Sequence, residues 1–125
     1  MGIGAYRAAK KKASPEQLVL LLYREALLRL GQLEEAPEKD AIWVQNTHHV
    51  RSILLELHDA LDFSESPEIG QQLAGLYRWC IGELIRAGRE REFAVVKPVI
   101  EVITELHDGW MQVVERPQQG LQWAS

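Results

Sequence analysis

Ser14-Pro15-Glu16-Gln17-Leu18-Val19-Leu20-Leu21-Leu22-Tyr23 decides the fold class, because it is a clear helix start that runs straight into five aliphatic residues and a tyrosine. Ser14 has a side-chain oxygen able to cap free backbone N–H groups. Pro15 suits the first helical position, and Gln17 stands three residues after the cap, where it can answer with a bond to the cap's own N–H. The run that follows exceeds what a helix packed on one side needs, since Leu18 to Leu22 covers nearly every direction around the axis. Such a helix is either buried all round or keeps a second face for a partner.

Downstream of this start the chain is punctuated four more times. Ala36-Pro37-Glu38-Lys39-Asp40 interrupts the first apolar pattern, and Asp62-Phe63-Ser64-Glu65-Ser66-Pro67-Glu68 interrupts the second, both with turn and cap residues. Gly88 is placed to end a third helix in the left-handed conformation, and Pro117 with its Gln- and Gly-containing tail to end a fourth. Four helices of about twenty residues result.

Their apolar positions step by threes and fours. On the second helix the seam is Trp43, Thr47, Val50, Leu54, Leu57 and Leu61, with Thr47 its polar member. On the third it reads Ile69, Leu73, Leu76, Cys80, Leu84 and Ala87, and on the fourth Val96, Val99, Ile103, Leu106, Trp110 and Val113. No strand pattern competes. Short connections between helices of matching length make neighbours run in opposite directions, so the expected architecture is an all-α antiparallel four-helix bundle over residues 14–116. Residues 1–13 form an arm before it and 117–125 a flexible tail after it. Gly31, Gly75 and Gly82 each cost about 1 kcal/mol against Ala inside a helix, so the helices depend on packing rather than propensity.

Pro98 admits two readings. A fourth helix starting near Arg91 places the proline well inside, with one hydrogen bond lost and the axis bent. A helix starting at Pro98 leaves Phe93 to Lys97 as a separate turn. The continuous, bent helix is expected, because Val95 and Val96 already fit the seam.

With 125 residues the chain is one domain with room for a core. Its net charge of −4 argues against general nucleic-acid binding, which needs a concentrated basic surface. Arg7, Lys10, Lys11 and Lys12 do gather in the arm, without an acid, and leave the body acidic. The simple reading is a solvated tail, the alternative a docking arm. Cys80 is alone, so an intrachain disulfide is impossible, and with no apolar run of membrane-spanning or signal-peptide length the cytosol is the expected compartment. Met1-Gly2 does not complete a myristoylation motif, since Tyr6 occupies the Ser/Thr position.

Catalytic and metal chemistry find little to stand on. None of the four histidines has a Glu three residues before it, and adjacent His48 and His49 point about 100° apart on a helix. His58 and His107 share a Leu-His-Asp context that fits helix surfaces. No phosphate-binding glycine loop follows a strand. Cys80, on an apolar seam, reads as a small buried hydrophobe. Glu83, Arg86, Arg89, Glu90, Arg91 and Glu92 alternate in sign as a solvated face does. No enzyme, metal site or other cofactor is expected.

Binding surface is what remains. Tyr23, Ile53, Tyr77, Ile81 and Ile85 lie off the tight seams, and the last three form a line by steps of four. They either widen the core or form an apolar groove, of the kind that accepts an amphipathic helix or an extended apolar segment through aromatic anchors.

A short segment with a tyrosine (Tyr6), followed by Ala13-Ser14-Pro15-Glu16, Leu18, Leu22 and Tyr23, resembles the flagellin-specific export chaperones of the FliS type. Ile53 to Asp62 is similar to that family's second-helix ending, Leu76-Tyr77 and Leu84-Ile85 to its third helix, and Glu105-Leu106-His107-Asp108-Gly109-Trp110 to its last-helix signature. The resemblance runs in order from Tyr6 to Trp110. It implies a cytosolic chaperone that holds the flagellin C-terminal segment, prevents premature polymerisation and delivers its client to the flagellar export gate. The surplus leucines of the first helix and the off-seam residues are the expected groove for such a client: Leu18, Leu21, Leu22, Tyr23, Ile53, Leu57, Tyr77, Ile81 and Ile85. The implied arm contacts, as a cap over the groove or at the gate, are Ile3 and Tyr6, whose spacing puts them on one side of a helical turn. The alternatives are a bundle that self-associates as a structural dimer through Leu18 to Tyr23, and a regulatory adaptor that binds a regulator through the same groove. A monomer or weak homodimer is expected.

Overall fold

The computed structural model describes residues 14–64 and 66–115, and among them there are four long helices and no strand. They are α1 (Pro15–Gly31), α2 (Ile42–Asp59), α3 (Pro67–Glu90) and α4 (Phe93–Glu115), with a 3₁₀ turn at Gln32–Glu34 after α1. The helical-bundle architecture matches the expectation. The arm (1–13) and the tail (117–125) lie outside the described residues.

α1 begins as its sequence dictates. Gln17 N–H donates to Ser14 Oγ, and Ser14 N–H donates to Gln17 Oε1, both at 3.2 Å, closing a capping box with Pro15 in the first turn. The apolar run behind it divides: Leu20 and Leu22 are buried, Leu18 and Val19 pack partly against the core, and Leu21 is half-buried.

The helices form a closed ring in which α1 and α3 each pack on α2 and α4. Cross-helix bonds fix their directions. Asn46 near the start of α2 donates through Nδ2 to the Arg29 carbonyl at the end of α1 (2.7 Å) and to Gln32 Oε1 (2.9 Å). Arg24 Nε on α1 donates to His107 Nε2 on α4 (3.3 Å), and Trp110 Nε1 donates to the Glu16 carbonyl in the first turn of α1 (2.9 Å). The Asn46 and Trp110 bonds each set the start of one helix against the end of its neighbour, so α1 runs antiparallel to both α2 and α4. Asn46 also supplies a donor to a last-turn carbonyl that α1 itself cannot serve.

The α2 seam is buried from Trp43 through Leu57, with Leu61 partly buried beyond the helix end. Thr47 is accommodated by donating its hydroxyl to the Trp43 carbonyl (2.7 Å). The α4 seam is buried at Val96, Val99 and Ile103, partly buried at Leu106 and Trp110, and exposed at Val113.

α3 departs from its expected phase. Its buried residues are Gly70, Ala74, Tyr77, Cys80, Leu84 and Ala87, whereas Ile69 and Leu76 are exposed. The reason is a contact with the preceding connection. Phe63, in the α2–α3 connection, lies on the first turn of α3, and a Cβ at position 70 would stand 2.6 Å from its ring, so glycine faces inward there. The line Tyr77, Ile81, Ile85 does not hold one direction either. Each step of four advances about 40° beyond a full turn, carrying the line from buried Tyr77 to half-buried Ile81 and exposed Ile85.

The end of α3 is also not at Gly88. The helix continues to Glu90, and Arg91 takes the left-handed conformation (φ 54°), its guanidinium donating to the Glu38 carbonyl (2.9 Å). Gly88 instead permits close approach of α2, since a Cβ there would meet Thr47 Oγ1 at 3.2 Å. α4 therefore starts at Phe93 and runs unbroken through Pro98. The proline removes the N–H that would bond the Ala94 carbonyl, and both residues are exposed, where water can replace the donor.

Candidate functional site

The longest helix creates the site. α3 has 24 residues against 18 in α2, a difference of about 9 Å of helix rise. Arg78 Nη1 lies 3.5 Å from His58 Nε2, level with the last turn of α2, so the first turns of α3 run past the end of α2. Residues 60–64 and 66, outside the helices, line that overhang only in part. The gap is a cleft of about 580 Å³ to which all four helices contribute.

Its walls are apolar: Val19 from α1, Leu57 and Leu61 from the end of α2, Ile69 and Leu73 from α3, and Leu106, Trp110 and Val113 from α4. Tyr23 and Tyr77 stand at its floor, almost wholly buried, with their hydroxyl oxygens 2.6 Å apart. Burial in apolar surroundings raises both phenols above their ordinary value, Tyr23 strongly and Tyr77 against the opposing effect of their shared hydrogen bond, so both remain protonated. Asp62, Ser66 and Glu105 supply the polar part of the lining. The Asp62 carboxylate accepts from Ser64 Oγ (2.6 Å) and Ser64 N–H (2.9 Å), and these bonds hold its pKa below the usual carboxylate value.

Apolar surface continues outside the cleft along α3. Ile69, Leu76 and Trp79 fall on one outward stripe by steps of seven and three, and Trp79 is 42 % exposed. Cleft and stripe together offer an apolar path from the mouth of the cleft along the bundle, larger than scattered surface hydrophobes provide.

The structure gathers some of the residues named from sequence and separates others. Tyr23, Leu57 and Tyr77 meet in the cleft. Leu22 and Ile53 are buried in the core, Leu18 packs partly against it, and Leu21 and Ile81 are half-buried. Ile85 is exposed on α3 without lining the cleft. Ile3 and Tyr6 lie outside the described residues. The cleft walls missing from the sequence-derived set are Val19, Leu61, Ile69, Leu73, Leu106, Trp110 and Val113. All of these but Val19 were legible as seam positions, but not as seam positions lacking an opposing helix. The signal lay in helix length, since a seam that outruns its neighbour ends unpaired.

Other chemistry gains no support from the geometry. Cys80 is buried, and burial pushes its thiol up to about 12, which removes the thiolate needed of a nucleophile. His58 and His107 face their acidic neighbours Asp59 (3.4 Å) and Asp108 (3.0 Å) through Nδ1. Among the described residues no cluster of His, Cys, Asp and Glu is arranged to hold a metal ion, and no helix is long and apolar enough to cross a membrane.

Comparison with known proteins places this bundle. The family model for the flagellar protein FliS matches residues 4–117. The chain is 26 % identical over 103 residues to the flagellar secretion chaperone FliS of Vibrio cholerae, covering 81 % of this chain and 76 % of that protein. It is 28 % identical over 100 residues to the flagellar secretion chaperone FliSB of Pseudomonas aeruginosa, with 78 % and 79 % covered. Against the flagellar secretion chaperone FliS of Campylobacter jejuni it is 29 % identical over 103 residues, with 80 % of each covered. A match that starts in the arm, spans every helix of the ring and includes all four walls of the cleft leaves one assignment: the chain belongs to the FliS family of flagellar proteins.

Proposed function

We propose that this protein is a cytosolic chaperone for flagellin, holding the client's C-terminal segment before export. The observation that carries the reading is the apolar cleft, opened by the overhang of α3 and continued along the Ile69, Leu76, Trp79 stripe, in a member of a flagellar chaperone family. A segment built to assemble into a filament exposes apolar surface in solution. Covering that surface competes with polymerisation by mass action. Ordering a long disordered client costs several kcal/mol, which calls for a broad contact area rather than one pocket. The client contacts extend from the cleft floor at Tyr23, Leu57 and Tyr77 to the half-buried Leu18, Leu21 and Ile81. Leu22 and Ile53 support that surface from beneath, and Ile85 extends it. The arm, through Ile3 and Tyr6, docks the loaded complex on a flagellar export gate component, and the protein works as a monomer or weak homodimer.

Calorimetric titration with the C-terminal segment of the flagellin encoded in the same genome tests this reading. One-to-one binding with a strongly negative heat-capacity change is expected. Leu73→Asp, which places a charge in the cleft wall of a folded bundle, should weaken binding by at least about a hundredfold, since a buried unpaired carboxylate costs several kcal/mol. Absence of binding by the folded wild type overturns the proposal.

A further inference from the structure

Two hydroxyls sit at the floor of an apolar cleft, and they share one hydrogen bond. Tyr23 Oη and Tyr77 Oη are 2.6 Å apart, so one donates and the other accepts. Each phenol carries one proton, which burial keeps in place. The accepting hydroxyl therefore has a hydrogen left to give. Among the described residues neither hydroxyl has a further hydrogen-bond partner. The two rings reach the floor from α1 and α3, across the diagonal of the bundle.

A leftover donor in apolar surroundings is costly unless an acceptor meets it. The other polar side chains of the lining, Asp62, Ser66 and Glu105, do not bond to it. We propose that the tyrosine pair is a specificity element of the cleft, donating one hydrogen bond to a neutral amide carbonyl of the bound client. This deepens the client reading above and rests on it. The two carboxylates in the lining disfavour an anionic acceptor, and the apolar walls require apolar side chains on either side of the carbonyl. Inside a helix every backbone carbonyl is already engaged, so the acceptor belongs to a last helical turn, an extended stretch, or an Asn or Gln side chain. The cleft thus selects a segment that interrupts its own apolar face with one polar group at a set depth.

The test is a calorimetric comparison of wild type, Tyr23→Phe, Tyr77→Phe and the double Phe variant, titrated with the same-genome flagellin C-terminal segment. Removing both hydroxyls while keeping both rings preserves the packing, and thermal melts check that the double variant stays folded. It should bind about three- to tenfold more weakly, the equivalent of one net hydrogen bond. At least one single variant should bind like wild type, because one remaining hydroxyl still holds a proton for the client. Raman scattering of the tyrosine ring doublet, which reports hydroxyl donation, should change when the segment binds wild type. Equal binding by wild type and double variant, with an unchanged doublet, overturns this inference and leaves the chaperone reading standing. A wild type that binds no flagellin segment overturns both.

Discussion

Two tryptophans mark the two ends of the bundle and differ in opposite respects. Trp43, where α2 begins, is 2 % exposed among Leu30, Leu33 and Val96, which are fully buried, yet its indole N–H has no hydrogen-bond partner among the described residues. Trp110, near the end of α4, is only partly buried, yet its indole N–H is bonded to the Glu16 carbonyl. The first end is sealed even at the cost of a stranded donor. The second leaves apolar surface open while satisfying its polar group. Packing completeness holds the fold at one end, and incompleteness at the other leaves room for a ligand.

The largest expected effect tests that division directly. Trp43→Ala should lower unfolding free energy by about 3–5 kcal/mol through the cavity it leaves, while the folded fraction keeps its affinity for the flagellin segment. Trp110→Ala should cost only about 1–2 kcal/mol of stability and weaken binding about tenfold. Urea unfolding and calorimetry on the two variants decide it, and equal effects on both quantities would abolish the distinction between the ends.

A smaller effect concerns the polar lock at the sealed end. Asn46→Ala strands the Arg29 carbonyl and releases the exposed Gln32 amide oxygen to water. Stability should fall by about 1–3 kcal/mol, with no change in client affinity.

Gly109 sharpens the comparison from the open end. It lines the cleft, and a Cβ there meets nothing within 4 Å. Gly109→Ala should therefore raise stability by up to about 1 kcal/mol through helix propensity, while narrowing the cleft and weakening client binding. A variant that gains both stability and affinity would show that this wall is not contacted.

The smallest effect depends on pH. His49 lies 3.6 Å from the buried Glu25, which also pairs with Arg29 at 3.0 Å. Burial first, and Arg29 second, lower the His49 pKa below its ordinary 6.5, with Glu25 opposing them. The folded state thus binds fewer protons than the unfolded chain between the lowered value and 6.5, so stability should decline as pH falls through that interval. In His49→Gln the slope between pH 7.5 and 5.5 should be shallower when measured by urea unfolding.

Helix starts, breaks and two of the seams were legible in the sequence at both ends, and the phase of one helix was not. The capping box at Ser14 and Gln17, the breaks around Pro37 and Ser64, and the seams of α2 and α4 follow from local chemistry that acts wherever the helix is placed. The phase of α3 does not. Ile69, Leu73, Leu76 and Cys80 have helical spacing as regular as that of Gly70, Ala74, Tyr77 and Cys80, and the hydrophobicity of glycine and alanine gives no sign that they face inward. The ring of Phe63 decides, and its position is a tertiary fact. Likewise, Arg91 rather than Gly88 turns the chain, and Gly88 serves the approach of Thr47, a contact across helices that local sequence does not announce. The cleft escaped notice because helices were taken as equal in length, and a void is made by what is absent opposite a seam.

The chain's one cysteine sits on α3 with its thiol sealed in the core. An alkylating reagent at neutral pH finds neither thiolate nor surface there, so modification must wait for the bundle to open. Cys80 is for that reason a built-in stopwatch. The rate at which it is labelled in native buffer counts excursions of α3 from the core without any added probe, and a bound client that clamps the bundle shut should slow that count in proportion to its occupancy.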